Sequence, residues 1–245
     1  MAHPTQPFFF TAFVYNAPPP RRTAMSPAFD TQLARNLMVD GQLRPNKVKD
    51  RRLLDILRRL PREDFVPAAL RDFATIDDDL KISPTRVLMK PLVIARLIQL
   101  AAPKPGETAL VVGAGTGYGA AILAELGVQV TALEEDEALI AMAREAAMAG
   151  RTHPVSFVTG PLSQGFAERA PYDLILIEGA VRAIPERLGR QVAQNGRLVT
   201  VLAPEGQASV AVLAEPSVGG LRARPAFDAA TALLPELLPA ASFAF

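Results

Sequence analysis

Between Thr108 and Gly127 an apolar, β-branched run, TALVVG, opens into a glycine-rich turn and continues as GYGAAILAEL. Strand, turn and helix in that order commit the chain to a parallel sheet, because parallel neighbours need a long crossover and the helix supplies it. The pattern then repeats. VQVTALEE reads as a second buried strand, DEALIAMAREAAMAG as a helix capped by Asp136 and stopped by Gly150, VSFVTG as a third strand and YDLILIEGA as a fourth. IPERLGRQVA predicts another helix, NG a turn and RLVTVLA a fifth strand, while QASVAVLA and LRARPAF, joined through SVGG, predict an antiparallel pair. Such alternation makes right-handed βαβ units with both sheet faces covered. The expected fold is therefore α/β: a Rossmann-like three-layer sandwich, mostly parallel, with an antiparallel C-terminal hairpin.

Helices precede this unit. FDTQLARNLMVDGQL places Phe29, Leu33, Leu37 and Met38 on one apolar stripe, which Gly41 is expected to break. In DRRLLDILRRL, Asp50 is a candidate cap, Leu53, Leu54, Leu57 and Leu60 share a face, and Pro61 closes the segment. The arginines there read as a solvated face. KPLVIARLIQLAA sets Pro91 at a first helical position and ends at PKPG, residues 103–106. The chain thus divides into a tail at 1–25, a helical region at 26–102 and the α/β unit at 103–245.

Composition excludes several chemistries. Twenty-six basic and 25 acidic side chains leave a formal charge of +1, no field for gathering the phosphates of a nucleic acid. There is no cysteine, hence no thiolate nucleophile and no Cys-ligated metal. The two histidines, His3 in a Pro-rich stretch and His153 before Pro154, suit neither a catalytic triad nor a metal cluster. No run reaches the ~18–20 apolar residues of a membrane helix. FFFTAFV at 8–14 lacks a preceding Lys or Arg and is followed by APPPRR, so it reads as a disordered tail, or as an upstream extension of a chain starting at Met25 or Met38, with the cytoplasm as default location.

In VVGAGTGYG, glycines 113, 115 and 117 follow the strand directly, where a tight turn lets backbone N–H groups approach a ligand with no Cβ in the way. Glu134 closes the second strand, 21 residues beyond Gly113, where a carboxylate can accept hydrogen bonds from both hydroxyls of a ribose. The candidate cofactor-binding set is Gly113, Ala114, Gly115, Thr116, Gly117 and Glu134. A dinucleotide GxGxxG/A can be read from Gly115, Gly117 and Ala120, but it starts late relative to the strand. GxGxG from Gly113 fits the strand end and is the spacing of methyltransferases that use S-adenosylmethionine. The competing expectation is a turn whose glycines serve packing alone.

PREDFVP at 61–67, ALVVGAGTGYGAAILAELG, VTALEED and APYDLILIEGAVRAIPERLGRQVAQNGRLV, in that order, resemble the protein-L-isoaspartate O-methyltransferase family over roughly residues 30–205. The resemblance implies a class I methyltransferase domain, S-adenosyl-L-methionine as cofactor, a substrate-side role for 26–102, and methylation of the carboxylate of isoaspartyl residues in damaged proteins, the first step of their repair. A carboxylate with a pKa near 4 is ionised at neutral pH, so it needs no strong base to become a nucleophile. The family's active-site serine aligns with Met89, in ISPTRVLMKP, which leaves the catalytic residue unassigned; Ser83, Thr85 and Arg86 are the polar groups near it. The acid usual in the first strand is Val111, and the family's Gly-Asp-Gly after the third strand reads Gly160, Pro161, Leu162. These departures also leave open a non-catalytic relative that binds a partner or nucleoside, or a methyltransferase with another acceptor.

Overall fold

The computed structural model describes residues 30–149 and 153–238. The tail expected at 1–25, Phe29 and the helix stop at Gly150 lie outside them. Helix α1 (Thr31–Leu37), capped by the Asp30 carboxylate, runs into a π-helical turn at Met38–Leu43, and α2 spans Arg51–Arg59. A small antiparallel pair, β1 (Leu80–Lys81) and β2 (Val87–Leu88), leads into α3 (Pro91–Ala101). The α/β unit follows as β3 (Thr108–Val112), α4 (Tyr118–Glu125), β4 (Gln129–Glu134), α5 (Glu137–Ala149), β5 (Val155–Thr159), β6 (Tyr172–Val181), α6 (Glu186–Gly189), β7 (Val192–Leu202), β8 (Val210–Ser217) and β9 (Gly220–Asp228).

The seven strands β3–β9 form one sheet in the order β5-β4-β3-β6-β7-β8-β9, parallel through β7 and antiparallel beyond it. Alternation within a strand sends its side chains to two cores. Ala109, Val111, Leu174 and Leu176 face the layer of α2, α3 and α4, while Leu110, Val112, Ile175 and Ile177 face Leu162, Leu188, Leu234 and Leu237. All eight strand residues are buried, as expected of a parallel sheet covered on both sides.

The expected caps are in place. Asp50 accepts from the Arg52 and Leu53 amides, and Asp136 from those of Ala138 and Leu139. Four expectations need correction. Gly41 does not end the first helix; the chain passes through it in the π turn, which buries Met38, Val39 and Leu43 and leaves Leu33 and Leu37 exposed. The inward residue of α1 is Arg35, which bonds the Arg58 carbonyl and pairs with Glu63. The helix expected over IPERLGRQVA is four residues long, and Val192 already pairs with Tyr172. Asn195-Gly196 is accordingly not a turn but an irregularity within β7, where pairing resumes at Leu174 and Arg197. A Cβ on Gly196 would lie 2.7 Å from the Tyr172 carbonyl oxygen, so only glycine fits that approach.

Candidate functional site

Strand β3 pairs with β4 on one side and β6 on the other, so chain progression reverses there and opens a crevice at the carboxyl ends of the strands. Two sequence features meet at that edge, the 113–117 turn after β3 and Glu134 ending β4, and Glu178 near the end of β6 joins them. Gly113, Gly115 and Gly117 have φ of 70°, 54° and 84°, the left-handed region that other residues avoid. Every expected cofactor-binding residue is therefore at the crevice.

Their hydrogen bonds, however, close within the protein. The Gly113 and Ala114 amides donate to the Leu133 carbonyl at 3.0 and 3.1 Å, and Gly117 donates to Ala114 at 2.8 Å. Thr116 Oγ1 donates to the Phe65 carbonyl at 2.6 Å, tying the turn to the PREDFVP element. Glu134 is 1% exposed. Its Oε1 accepts from Arg86 Nη2 (2.8 Å) and the Glu135 and Asp136 amides (2.8 and 3.2 Å), and its Oε2 from Arg86 Nε (2.9 Å) and the Gly115 amide (2.9 Å). Five donors exhaust a carboxylate with about four lone-pair sites.

Arg86, one of the polar groups noted near Met89, is buried in this two-pronged pair. Its Nη1 reaches both oxygens of Glu236 at 2.9 Å. Burial works against the guanidinium charge, but the two carboxylates outweigh it and hold the Arg86 pKa above its ordinary value. Ion pairing with a residue 48 positions away left no local signal in ISPTRVLMKP.

The space beside the glycines is also taken. A Cβ on Gly113 would lie 3.1 Å from Leu234 Cδ1, one on Gly115 3.1 Å from Ile82 Cδ1, one on Gly117 2.9 Å from the Phe157 ring, and one on Gly179 2.5 Å from Leu234 Cγ. In this conformation side chains of the protein stand beside these glycines. In the same conformation the acceptor sites of Glu134 are engaged by protein donors and Leu234 stands over Gly113.

A second polar group gathers around Glu178 of β6. Arg62, fully buried, donates to the carbonyls of Ala74 and Met89, both at 2.6 Å, and its guanidinium carbon stands 4.6 Å from the centroid of the Tyr118 ring. Glu178 packs against Gly119 so closely that a Cβ there would meet Oε1 at 2.1 Å. Among the described residues Arg62 Nη1, Tyr118 OH and Glu178 Oε1 have no hydrogen-bond partner. Burial pushes the Glu178 carboxyl up to about 8, against the opposing pull of Arg62. Sequence reading missed this trio; its signals were an acid ending the apolar strand LILIEGA and an arginine opening PREDFVP. Met89 is buried and lends the group only its carbonyl, while Val111 is simple core. Exposed His153 contacts Glu125, a structural role.

Comparison with known proteins matches the architecture. Residues 34–218 fit the family model for protein-L-isoaspartate(D-aspartate) O-methyltransferase. The protein-L-isoaspartate O-methyltransferase of Methylorubrum populi is 41% identical over 176 residues, 72% of this chain and 82% of that one, and its counterpart in Methylorubrum extorquens is 42% identical over 190 residues, 76% and 83%. The fold is shared with the crystal structure of a Plasmodium falciparum protein described as a putative member in complex with S-adenosyl-L-homocysteine, at TM-score 0.69 and 20% identity over 82% of this chain and 98% of that one. Sheet order, the glycine turn and these matches across most of the chain lead to one assignment: the chain belongs to the protein-L-isoaspartate O-methyltransferase family.

Proposed function

We propose that the protein is an S-adenosylmethionine-dependent O-methyltransferase that esterifies the carboxylate of isoaspartyl residues in damaged proteins and so begins their repair, in the cytoplasm. The observation that carries this reading is the family match over 34–218, which includes the glycine turn and Glu134 at the crevice edge. Gly113, Ala114, Gly115, Thr116, Gly117 and Glu134 are the residues proposed to face the cofactor, with 103–245 as its domain and the preceding 26–102 on the substrate side. An isoaspartyl carboxylate is ionised at neutral pH, so the acceptor needs orientation rather than deprotonation. That requirement agrees with a crevice edge built from backbone amides, carboxylates and arginines. Among the described residues no helix is long and apolar enough to cross a membrane.

Incubation with methyl-labelled S-adenosylmethionine and an isoaspartyl peptide tests the activity. Base-labile methyl ester on the isoaspartyl peptide, and none on its aspartyl isomer, is the expected result. Absence of label at stoichiometric enzyme would reject the assignment.

A further inference from the structure

Beyond β9 the chain does not leave the sheet. The Ala180 amide donates to the Ala232 carbonyl at 2.8 Å, and the Leu234 amide returns a bond to Ala180 at 2.9 Å, so Leu233 forms a parallel bridge with β6. This strap crosses the carboxyl end of the sheet at the reversal point, where the family reading needs a nucleoside. Its side chains seat there. Leu234, 3% exposed, lies over Gly113 and Gly179 at once, and Glu236 holds the outer nitrogen of Arg86 while the rest of that guanidinium covers Glu134.

The strap and the altered segment before α3 are one mechanical unit. Asp79 accepts from Thr231 Oγ1 at 2.6 Å and the Ala232 amide at 3.2 Å through one oxygen, and from the Lys90 amide at 2.8 Å through the other. Asp79 therefore clamps the strap to the segment that carries Arg86. Leu234 of the strap stands over the glycine turn and Glu236 of the strap holds the Arg86 that pairs with Glu134, so the strap and a nucleoside exclude each other.

We propose that residues 229–238, acting with Arg86, form an internal plug that competes with S-adenosylmethionine for the family's cofactor cleft, so that the cofactor enters only when the strap lifts from β6 and Arg86 leaves Glu134. This inference rests on the methyltransferase reading above. A protein whose competent state is a fraction of the population binds with an affinity reduced by that fraction. Loosening the plug raises affinity without adding any contact to the ligand.

The test is calorimetric titration of the full chain with S-adenosylhomocysteine, beside Leu234→Ala and Glu236→Gln in the same chain. Both variants should bind about tenfold or more tightly than the unaltered protein. Equal affinity in all three, with measurable binding, overturns the plug and leaves the methyltransferase reading standing. Weaker binding in the variants also overturns it, since the strap would then be part of the site. Absence of binding in all three, with circular dichroism unchanged, overturns the plug together with the cofactor assignment. If either variant fails to fold, hydrogen exchange on the unaltered chain decides: saturating S-adenosylhomocysteine should speed exchange of the Leu234 and Ala180 amides, and slower or unchanged exchange refutes the proposal.

Discussion

Replacing Glu134 by Gln and Arg86 by Met, singly and together, measures how firmly the crevice is closed. Arg86 and Glu134 are 3% and 1% exposed and meet through two nitrogen–oxygen contacts at 2.8 and 2.9 Å. Removing one partner of a buried pair typically costs about 3–5 kcal/mol, because a charge is stranded in a medium that cannot solvate it. The two single changes are not equivalent. Glu134→Gln leaves Arg86 with Glu236, whose side chain is 22% exposed, so the cost should fall near the lower limit, about 3 kcal/mol. Arg86→Met leaves Glu134 with three backbone amides and no countercharge, and should cost roughly 3–5 kcal/mol. The double variant removes both charges of the pair together, leaving only the part-exposed Glu236, and should be more stable than the sum of the singles by about 2–3 kcal/mol. Urea unfolding followed by circular dichroism at neutral pH resolves such differences against a total of roughly 5–15 kcal/mol. Additivity within about 0.5 kcal/mol, or single costs below about 1 kcal/mol as for a surface pair, would refute the closed crevice.

Further expectations concern Glu178 and its surroundings. Its folded pKa, about 8, lies above that of the unfolded chain, so the native state holds a proton that the unfolded state has released. The sign follows: this contribution is fully present below about pH 4.5 and is lost as pH rises toward about 8, on the order of 3–5 kcal/mol in all. Glu178→Gln should flatten that slope, and urea midpoints for both proteins at pH 5 and 8.5 give the comparison; parallel profiles would place the proton elsewhere. Gly119→Ala should destabilise by about 2 kcal/mol or more because its Cβ meets Glu178 Oε1 at 2.1 Å, and Glu178→Ala in the same chain should recover most of the loss. Gly196→Ala should be equally costly but without rescue, since its obstacles are the carbonyls of Tyr172 and Asp173; thermal melts separate the two cases. Thr116→Val should cost about 1–2 kcal/mol in urea unfolding through the orphaned Phe65 carbonyl.

What was legible in the sequence was what neighbours in sequence decide. A buried parallel strand must be apolar on both faces, so VVG, VTAL and DLILI announced the sheet, and Asp50 and Asp136 announced helix starts because a cap acts within three residues. Elements failed where distant partners override local pattern. IPERLGRQVA has helical spacing, yet Tyr172 draws Val192 into the sheet and Gly196 lets β7 run past the carbonyls of β6. Leu33 and Leu37 fall on an apolar stripe, yet Arg35 has Glu63 and the Arg58 carbonyl to satisfy and turns inward instead. At the crevice, position was readable and occupancy was not: the turn and Glu134 stand where their spacing put them, whereas Arg86 and Glu236 arrive from 48 residues before Glu134 and 150 residues after Arg86.

The departures from the family pattern can be weighed as one electrostatic problem. A crevice built for a ligand keeps an acid where hydroxyl groups will meet it, and with the ligand away water must hydrate that acid. Here Leu234 and Ile82 pack beside the turn and Glu134 is sealed, so water cannot serve, and an unpaired carboxylate would be driven to protonate or to unfold its surroundings. Arg86 removes the difficulty, but a guanidinium between one carboxylate and an apolar wall still has unused donors; Glu236, carried by the strap, takes the outer nitrogen. A second acid on β3 would bury a further charge, and Val111 there supplies core instead. Position 86 and the strap thus answer to a single requirement, that the buried Glu134 carboxylate and the guanidinium facing it both have partners in a dry crevice. Restoring one of them alone therefore raises the energy of the closed state instead of rebuilding an open site. A Val111→Asp substitution should destabilise the protein by several kcal/mol, and a stability loss under about 1 kcal/mol would mean that water reaches this side of β3 despite its packing.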